Sequence, residues 1–333
     1  MMESSPRLHF VHIVSASGEA EYLPTRHFWQ TFDLFLKKKF AATDRETMER
    51  PPMQKLPPRD PVNIITREEV AKAVQKMKKH KAVGADGIPV EVYQVSETAF
   101  NMLHELLVDI WLSEDVPEAL GVAVFKMLFK HKGSSDDPSK YRCIGLLNSA
   151  YKVLSAIMLQ RLIKETHHYL QDWQAGFRQK RGCKDNVMIL RTLVSKALRE
   201  GTPLVLTFID YSSAFDTISH KFLDATLVEA KAKPKTRAMF RSIYGSATAK
   251  TRVKDTDGKS VYSDTFPVRR GVIQGDLTSP WYFILALEAI LREHDKSPNK
   301  GVPFQLQKVH TLGYADDCAL IDGSAEEASA RVT

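Results

Sequence analysis

Cysteine is scarce. Cys143, Cys183 and Cys318 are the only three in 333 residues, far apart and odd in number. That excludes a disulfide-framed secreted scaffold and any close-spaced cysteine metal motif, and it points to a reducing compartment. Long apolar runs are lacking too: none approaches the roughly 18 residues that a membrane-spanning helix needs. The first residues hold no continuous signal-peptide core. The expectation is an intracellular protein, in the nucleus or the cytoplasm and not secreted, with no membrane partner. Internal repeats and long low-complexity tracts are also missing. There is no acidic excess, since 40 Asp and Glu stand against 47 Lys and Arg for a net charge of +7. Such a basic balance suits a polyanionic partner.

Apolar residues make up 43% of the chain, enough to bury the core of one large or two ordinary domains. Within them the stretch LGYADDCALI, Leu312 to Ile321, places Asp316 and Asp317 between two short apolar runs. The runs are too short for helices and read as two buried strands joined by a tight acidic turn. An isolated Asp-Asp turn is usually a solvated loop. A second carboxylate in a similar setting changes that reading: the apolar strand LVLTFI, Leu204 to Ile209, ends in Asp210. Two buried strands can present Asp210 beside Asp316 and Asp317. Three converging carboxylates repel one another unless a cation intervenes. They could hold two hard divalent ions roughly 3.5–4 Å apart, the arrangement used for in-line phosphoryl transfer.

The rest of the chain frames these strands. Phe28 to Phe40 reads as an amphipathic helix. Arg50 to Pro61 carries five prolines and reads as an extended linker, which divides an N-terminal extension (1–60) from a main domain (61–333). Thr66 and Glu69 form a T-x-x-E helix start, with Val70, Ala73, Val74 and Met77 on the buried face. The following Lys76, Lys78, Lys79, His80 and Lys81 are a solvated face or a contact to a nucleic-acid backbone. Phe100, Leu103, Leu107 and Trp111 mark another helix. Val122 to Phe129 and Ile144 to Leu147 read as strands around the turn GSSDDP, with Lys130 and Arg142 either plain surface cations of a hairpin or contacts to a triphosphate. Helices follow at Ala150 to Leu162 and Val187 to Ala197, separated by the basic glycine-containing loop Gln174 to Cys183. His167 and His168 read as solvated. Two further helices, His220 to Ala230 and Lys235 to Tyr244, lead to a hairpin around Asp257–Gly258. RRGVIQGDLTSP, Arg269 to Pro280, lets backbone approach a ligand closely at its glycines and opens a helix, Trp281 to Glu293. Phe304 to Val309 reads as one last strand before the acidic hairpin.

Taken in order, these motifs resemble a reverse transcriptase. The resemblance is to the polymerase domain of non-long-terminal-repeat (LINE-type) retrotransposons and runs from about Ile65 to Asp322. It is carried by ADGIP (Ala85–Pro89), FKHKGSSDDPSKYRCIGLLN (Phe129–Asn148), QAGFRQKRGCKDN (Gln174–Asn186), FIDYSSAFD (Phe208–Asp216), RRGVIQGDLTSP and YADD (Tyr314–Asp317). It implies an α+β right-hand polymerase of fingers and palm, with an antiparallel palm sheet backed by helices. It implies an RNA-directed DNA polymerase that takes an RNA template, a DNA primer and deoxynucleoside triphosphates (dNTPs) by a two-metal mechanism. The cofactor would be two Mg²⁺ ions, or Mn²⁺.

Carried over by position, Asp210, Asp316 and Asp317 are the catalytic carboxylates, and Ile209 adds a carbonyl to the metal ligands. Lys130 and Arg142 take the triphosphate, Phe215 gates the sugar, and Gln274 and Gly275 line the nucleotide side. Arg178, Lys180 and Arg181 are the nucleic-acid contacts, and Asp216 is structural. Two departures are visible. Cys143 stands where the family often has proline. The chain ends at Thr333, where the family continues into another palm motif and a helical thumb, so a truncated chain is expected. The competing expectation is an inactive remnant that only binds nucleic acid.

Overall fold

The computed structural model describes residues 10–14, 20–24, 26–42, 48, 64–134, 137–211, 213–254, 259–294 and 301–332. The expected linker Arg50–Pro61 and the Asp257–Gly258 turn lie outside them. Helices and sheets are mixed along the chain.

Two sheets carry the architecture. In the first, the antiparallel strands Ala123–Phe129 and Tyr141–Leu146 form a hairpin with Leu128 opposite Arg142. Ala123–Phe129 also pairs in parallel with Thr248–Lys254, which continues antiparallel to Ser260–Tyr262 and Phe266–Pro267. The second hairpin strand begins three residues earlier than its apolar run, because Tyr141 and Phe129 pair and their rings pack at 5.1 Å. The second sheet has the order Thr311–Tyr314, Asp317–Asp322, Val205–Ile209, all antiparallel.

Two expectations are corrected. Phe304 to Val309 is not one strand: Val302–Phe304 and Gln307–Val309 pair with each other, and Gln305 turns between them at φ +53°. Val205–Ile209 is half-buried rather than buried, with Phe208 70% exposed, because it is the edge strand of its sheet. The helix Cys183–Glu200 buries only Leu193, so its Val187 stays half exposed.

The core lies between helices and sheets. Glu97–Ser113 and Ser149–Thr166 contribute Leu107, Trp111, Leu154 and Leu162, and Ser279–His294 contributes Tyr282 to Leu287. Both halves of the Thr66 capping box are present, since the Thr66 amide donates to Glu69 at 2.9 Å and the Glu69 amide donates back at 3.2 Å. Glu69 also pairs with Arg161 at 2.7 Å, and that guanidinium lies 4.4 Å from the Trp111 ring centre, so one residue joins three helices. The helix Arg26–Phe40 reaches the same core: Leu36 and Phe40 are buried, and Phe40 stacks on Phe125 at 5.2 Å.

Candidate active site

The acidic turn is built by its neighbours. Tyr314 ends one strand, Asp317 opens the next, and Ala315 sits between them at φ +59°. That region is unfavourable for a residue with a side chain. Gln174, fully buried, holds Ala315 with both ends of its amide: Nε2 donates to the Ala315 carbonyl at 3.1 Å, and Oε1 accepts from the Ala315 amide at 3.0 Å. Next to it the strand end is held by Trp173 and Ala175, which exchange backbone bonds with Gly313. Cys318 is opposite Ile209 at the end of the ladder, so Asp317 and Asp210 are the residues next to that last pair.

Asp210 and Asp316 line one cleft of about 520 Å³. Its other walls include Lys130, Arg142, Phe215, Gln274 and Gly275. These expected residues, scattered through the sequence, are thus brought together. Asp317 is exposed and does not line the cleft. Buried below the turn, the Cys318 thiol is pushed up to about 12 by burial first, then by the charges of Asp316 and Asp317. Burial likewise pushes the Tyr211 hydroxyl up to about 12.

Phe215 stacks on Phe283 with ring centres 4.6 Å apart, and its carbonyl accepts from the Val272 amide at 2.7 Å. Gln274 donates from Nε2 to Asp216 at 3.2 Å, and its carbonyl accepts from the Gly145 amide at 2.6 Å. Gly275 follows at φ +122°, where a methyl group would sit 2.3 Å from the Gly145 oxygen. Asp276 is fully buried under this turn, bonded by Ser155, Thr278 and Tyr151; burial pushes its carboxyl up, and these hydroxyls oppose the shift.

The basic loop holds two of its cations in place. Arg178 donates to the carbonyls of Gln171 and Gln174, and Arg181 donates to Asp172, so both guanidinium groups bond within the loop. Lys180 is exposed. A second cleft, about 640 Å³, opens between the helices Arg67–Lys76 and Ser149–Thr166. Lys72, Lys76, Lys81, Lys152 and Lys164 line it, over a floor that includes Ala73 and Ile157. Lys78 lines it too, and sequence reasoning pointed to Lys76, Lys78 and Lys81 but not to Lys72, Lys152 or Lys164. It also missed Gln174 as the turn's clamp, the buried Asp276, and Lys39, which lines the first cleft. Gln174 opens the QAGF stretch and Asp276 lies in RRGVIQGDLTSP, so both sat inside recognised motifs; nothing local marks Lys39.

Among the described residues no group of three His, Cys, Asp or Glu side chains is gathered closely enough to hold an ion alone. Two carboxylates and nearby backbone carbonyls are hard oxygen donors. They fit an ion such as Mg²⁺, which keeps water and substrate phosphate in its other positions.

A family model described as reverse transcriptase (RNA-dependent DNA polymerase) matches residues 130–333. Among curated relatives, the chain is 27% identical over 258 residues to the Pol polyprotein of the type-1 retrotransposable element R2 of Popillia japonica, covering 78% of this chain and 35% of that protein. It is 28% identical to the uncharacterized 149 kDa protein of transposon TX1 from Xenopus laevis, covering 68% and 17%. It is 25% identical to the probable RNA-directed DNA polymerase of transposon BS from Drosophila melanogaster, covering 87% and 31%. The chain therefore spans about a third or less of the length of these relatives.

Proposed function

The chain belongs to the reverse transcriptase family, and from that premise we propose that its first cleft extends a DNA primer on an RNA template, using deoxynucleoside triphosphates. One observation carries the proposal. Strand pairing brings Asp210 and Asp316 to one cleft, and the hairpin turns Lys130 and Arg142 into the same space. Opposed acid and base at this spacing suit a substrate that is a polyanion on one side and a metal chelate on the other.

The residues divide the work. Asp210 and Asp316, with the Ile209 carbonyl, would hold Mg²⁺ or Mn²⁺, and Asp317 would add negative potential from the strand opposite. When bound, the metal supplies Lewis acidity for the primer hydroxyl and charge neutralisation for the leaving pyrophosphate. Arg142 presents a planar fork to the phosphates and Lys130 a point charge. Between them they orient the triphosphate so that the primer 3′-oxygen, its proton passing to water, bonds to the α-phosphorus as the bond to the α,β-bridging oxygen breaks and pyrophosphate leaves. Phe215, fixed against Phe283, is a rigid wall under the sugar that rejects a 2′-hydroxyl. Gln274 and Gly275 form the side facing base and template.

In this reading the hairpin belongs to the fingers and the three-stranded sheet to the palm. Lys180 and the lysine-lined second cleft give the template strand its backbone contacts, because cations over an apolar floor suit phosphates and stacked bases. No helix among the described residues is long and apolar enough to cross a membrane.

The decisive test is primer extension on an RNA template with Mg²⁺, comparing the chain with its Asp316→Ala variant. Metal-dependent extension that the variant loses is the expected result. Binding of primer–template without extension by either protein would replace the polymerase reading with that of a nucleic-acid-binding remnant.

A further inference from the structure

Lys39 stands at the C-terminal end of the helix Arg26–Phe40, outside every motif that carried the family resemblance. Its ammonium lies 2.5 Å from one carboxylate oxygen of Asp216. The Lys39 side chain is 14% exposed and that of Asp216 only 5%. The other Asp216 oxygen accepts from Gln274 at 3.2 Å. Asp216 directly follows Phe215 in the short helix Ala214–Thr217. The lysine is therefore one bond from the residue behind the sugar wall and two from Gln274.

The main chain is anchored as well. Arg270 Nε donates to the Lys39 carbonyl at 2.8 Å, and the Arg269 amide donates to the Phe40 carbonyl at 3.0 Å. The same helix packs against the turn Pro138–Lys140, just before Arg142. Its end thus bridges the three segments that meet around the cleft.

We propose that Lys39 is a positioning residue of the nucleotide site. By neutralising the buried Asp216 it fixes Gln274 and Phe215, and the helix Arg26–Phe40 is a working part of the polymerase. A buried carboxylate stripped of its cation is costly, and the groups that must move to relieve it are those bonded to it. The proposal rests on the reading of the cleft as a deoxynucleotide site. Lys39 pairs with Asp216 and not with Asp210 or Asp316, so its removal should weaken nucleotide selection more than the chemical step.

The test is steady-state primer extension by the full chain on an RNA template, with dNTP and rNTP measured separately. The proteins are the parent, Lys39→Ala, Lys39→Arg and the neutral pair Lys39→Ala/Asp216→Asn, each checked for folding by circular dichroism. Lys39→Ala is expected to raise KM for dNTP roughly tenfold, leave kcat within about threefold, and reduce discrimination against rNTP. Lys39→Arg should restore most of the loss, and the neutral pair should exceed Lys39→Ala in affinity for dNTP. If Lys39→Ala fails to fold, the neutral pair and Lys39→Arg decide. Parent-like KM and sugar discrimination in Lys39→Ala overturn the role of Lys39 and leave the polymerase reading standing; where Lys39→Ala is unfolded, a folded neutral pair whose KM for dNTP stays about tenfold above the parent's does the same, because relieving the charge then restores nothing. A parent chain that extends no primer sinks the polymerase reading, and the inference with it.

Discussion

Gln174 and Ala315 are joined at both ends of one side-chain amide, and this pair sets the acidic turn. Ala315 holds a positive φ that its methyl group disfavours, and Gln174 satisfies its carbonyl and its amide together. Replacing Gln174 with Leu keeps the volume and removes both partners. Together with the Gly176 amide, which also donates to Gln174 Oε1 at 2.8 Å, three buried backbone groups are left unpaired, at a cost of about 3–6 kcal/mol. The urea midpoint should fall accordingly, and primer extension should fall further because Asp316 is the next residue. Unchanged stability and activity in Gln174→Leu would show that the strands alone hold the turn.

Gly275 offers a backbone test of the opposite wall. At φ +122° a side chain is strained, and a methyl group would collide with the Gly145 carbonyl, which belongs to the hairpin strand Tyr141–Leu146. Gly275→Ala should therefore push the hairpin away from Gln274 and destabilise by about 1–3 kcal/mol or more. The expected signature is a lower melting midpoint together with a raised KM for dNTP. Gly87→Ala is the control, since Gly87 has positive φ but open space around it, and only the strain should register.

How far the sequence could be read follows from the range of each interaction. The acidic hairpin and the capping box were legible because their signals lie within a few residues: alternation broken by Asp316–Asp317, and Thr66 three before Glu69. The convergence of Asp210 on the turn was legible through the two apolar runs that flank it. The break between Phe304 and Gln307 was not, because Gln305 carries no turn signature and its positive φ is imposed by pairing around it. The Lys39–Asp216 pair was also illegible. It depends on a helix docking across the core from the far end of the chain, and a run of three lysines reads locally as a solvated face. The bonds of Arg178 and Arg181 within their own loop were hidden for the same reason: cation content is visible in sequence and its partner is not.

His220 gives a pH dependence with a definite sign. Its ring is buried and its Nε2–H donates to the Gly271 carbonyl at 2.7 Å. Burial depresses its pKa to about 4, against 6.5 ordinarily, and the Gly271 bond opposes the shift only partly. The unfolded chain therefore takes up a proton below pH 6.5 that the folded chain refuses until about pH 4. Stability is full above 6.5 and declines across that window, by about 3 kcal/mol at most from this residue. In His220→Gln the urea midpoint should be lower at pH 7 yet fall less between pH 7 and pH 4.5. Parallel curves for the two proteins would refute the assignment.

Arg331 and Asp322 make the last helix, Ala325–Val332, part of the sheet's support. The pair is 2.8 Å apart with the carboxylate fully buried, and Arg331 also donates to the His310 carbonyl and to Thr311. Arg331→Ala leaves a buried charge unpaired, at a cost of about 3–5 kcal/mol. Arg331→Ala combined with Asp322→Ala should recover part of that loss in chemical denaturation. A double variant as unstable as the single one would locate the cost in the carbonyl bonds.

The lysine-lined cleft makes a prediction about salt that is independent of catalysis. Lys76 and Lys164 line it from different helices and are exposed. If both contact template phosphates, each contributes a released counterion, and the slope of log affinity against log salt should shrink by about 0.7–0.9 per lysine removed. Lys76→Ala/Lys164→Ala should thus reduce primer–template affinity at low salt and flatten the slope by about 1.4–1.8. The loss should be similar for unrelated template sequences, because phosphates carry no sequence information. Asp316→Ala, by contrast, should keep the parent slope, since it removes an anion from the other cleft. Equilibrium titration of a labelled RNA–DNA primer–template at several salt concentrations separates the two. A parent-like slope in the double lysine variant would place the template path elsewhere on the molecule.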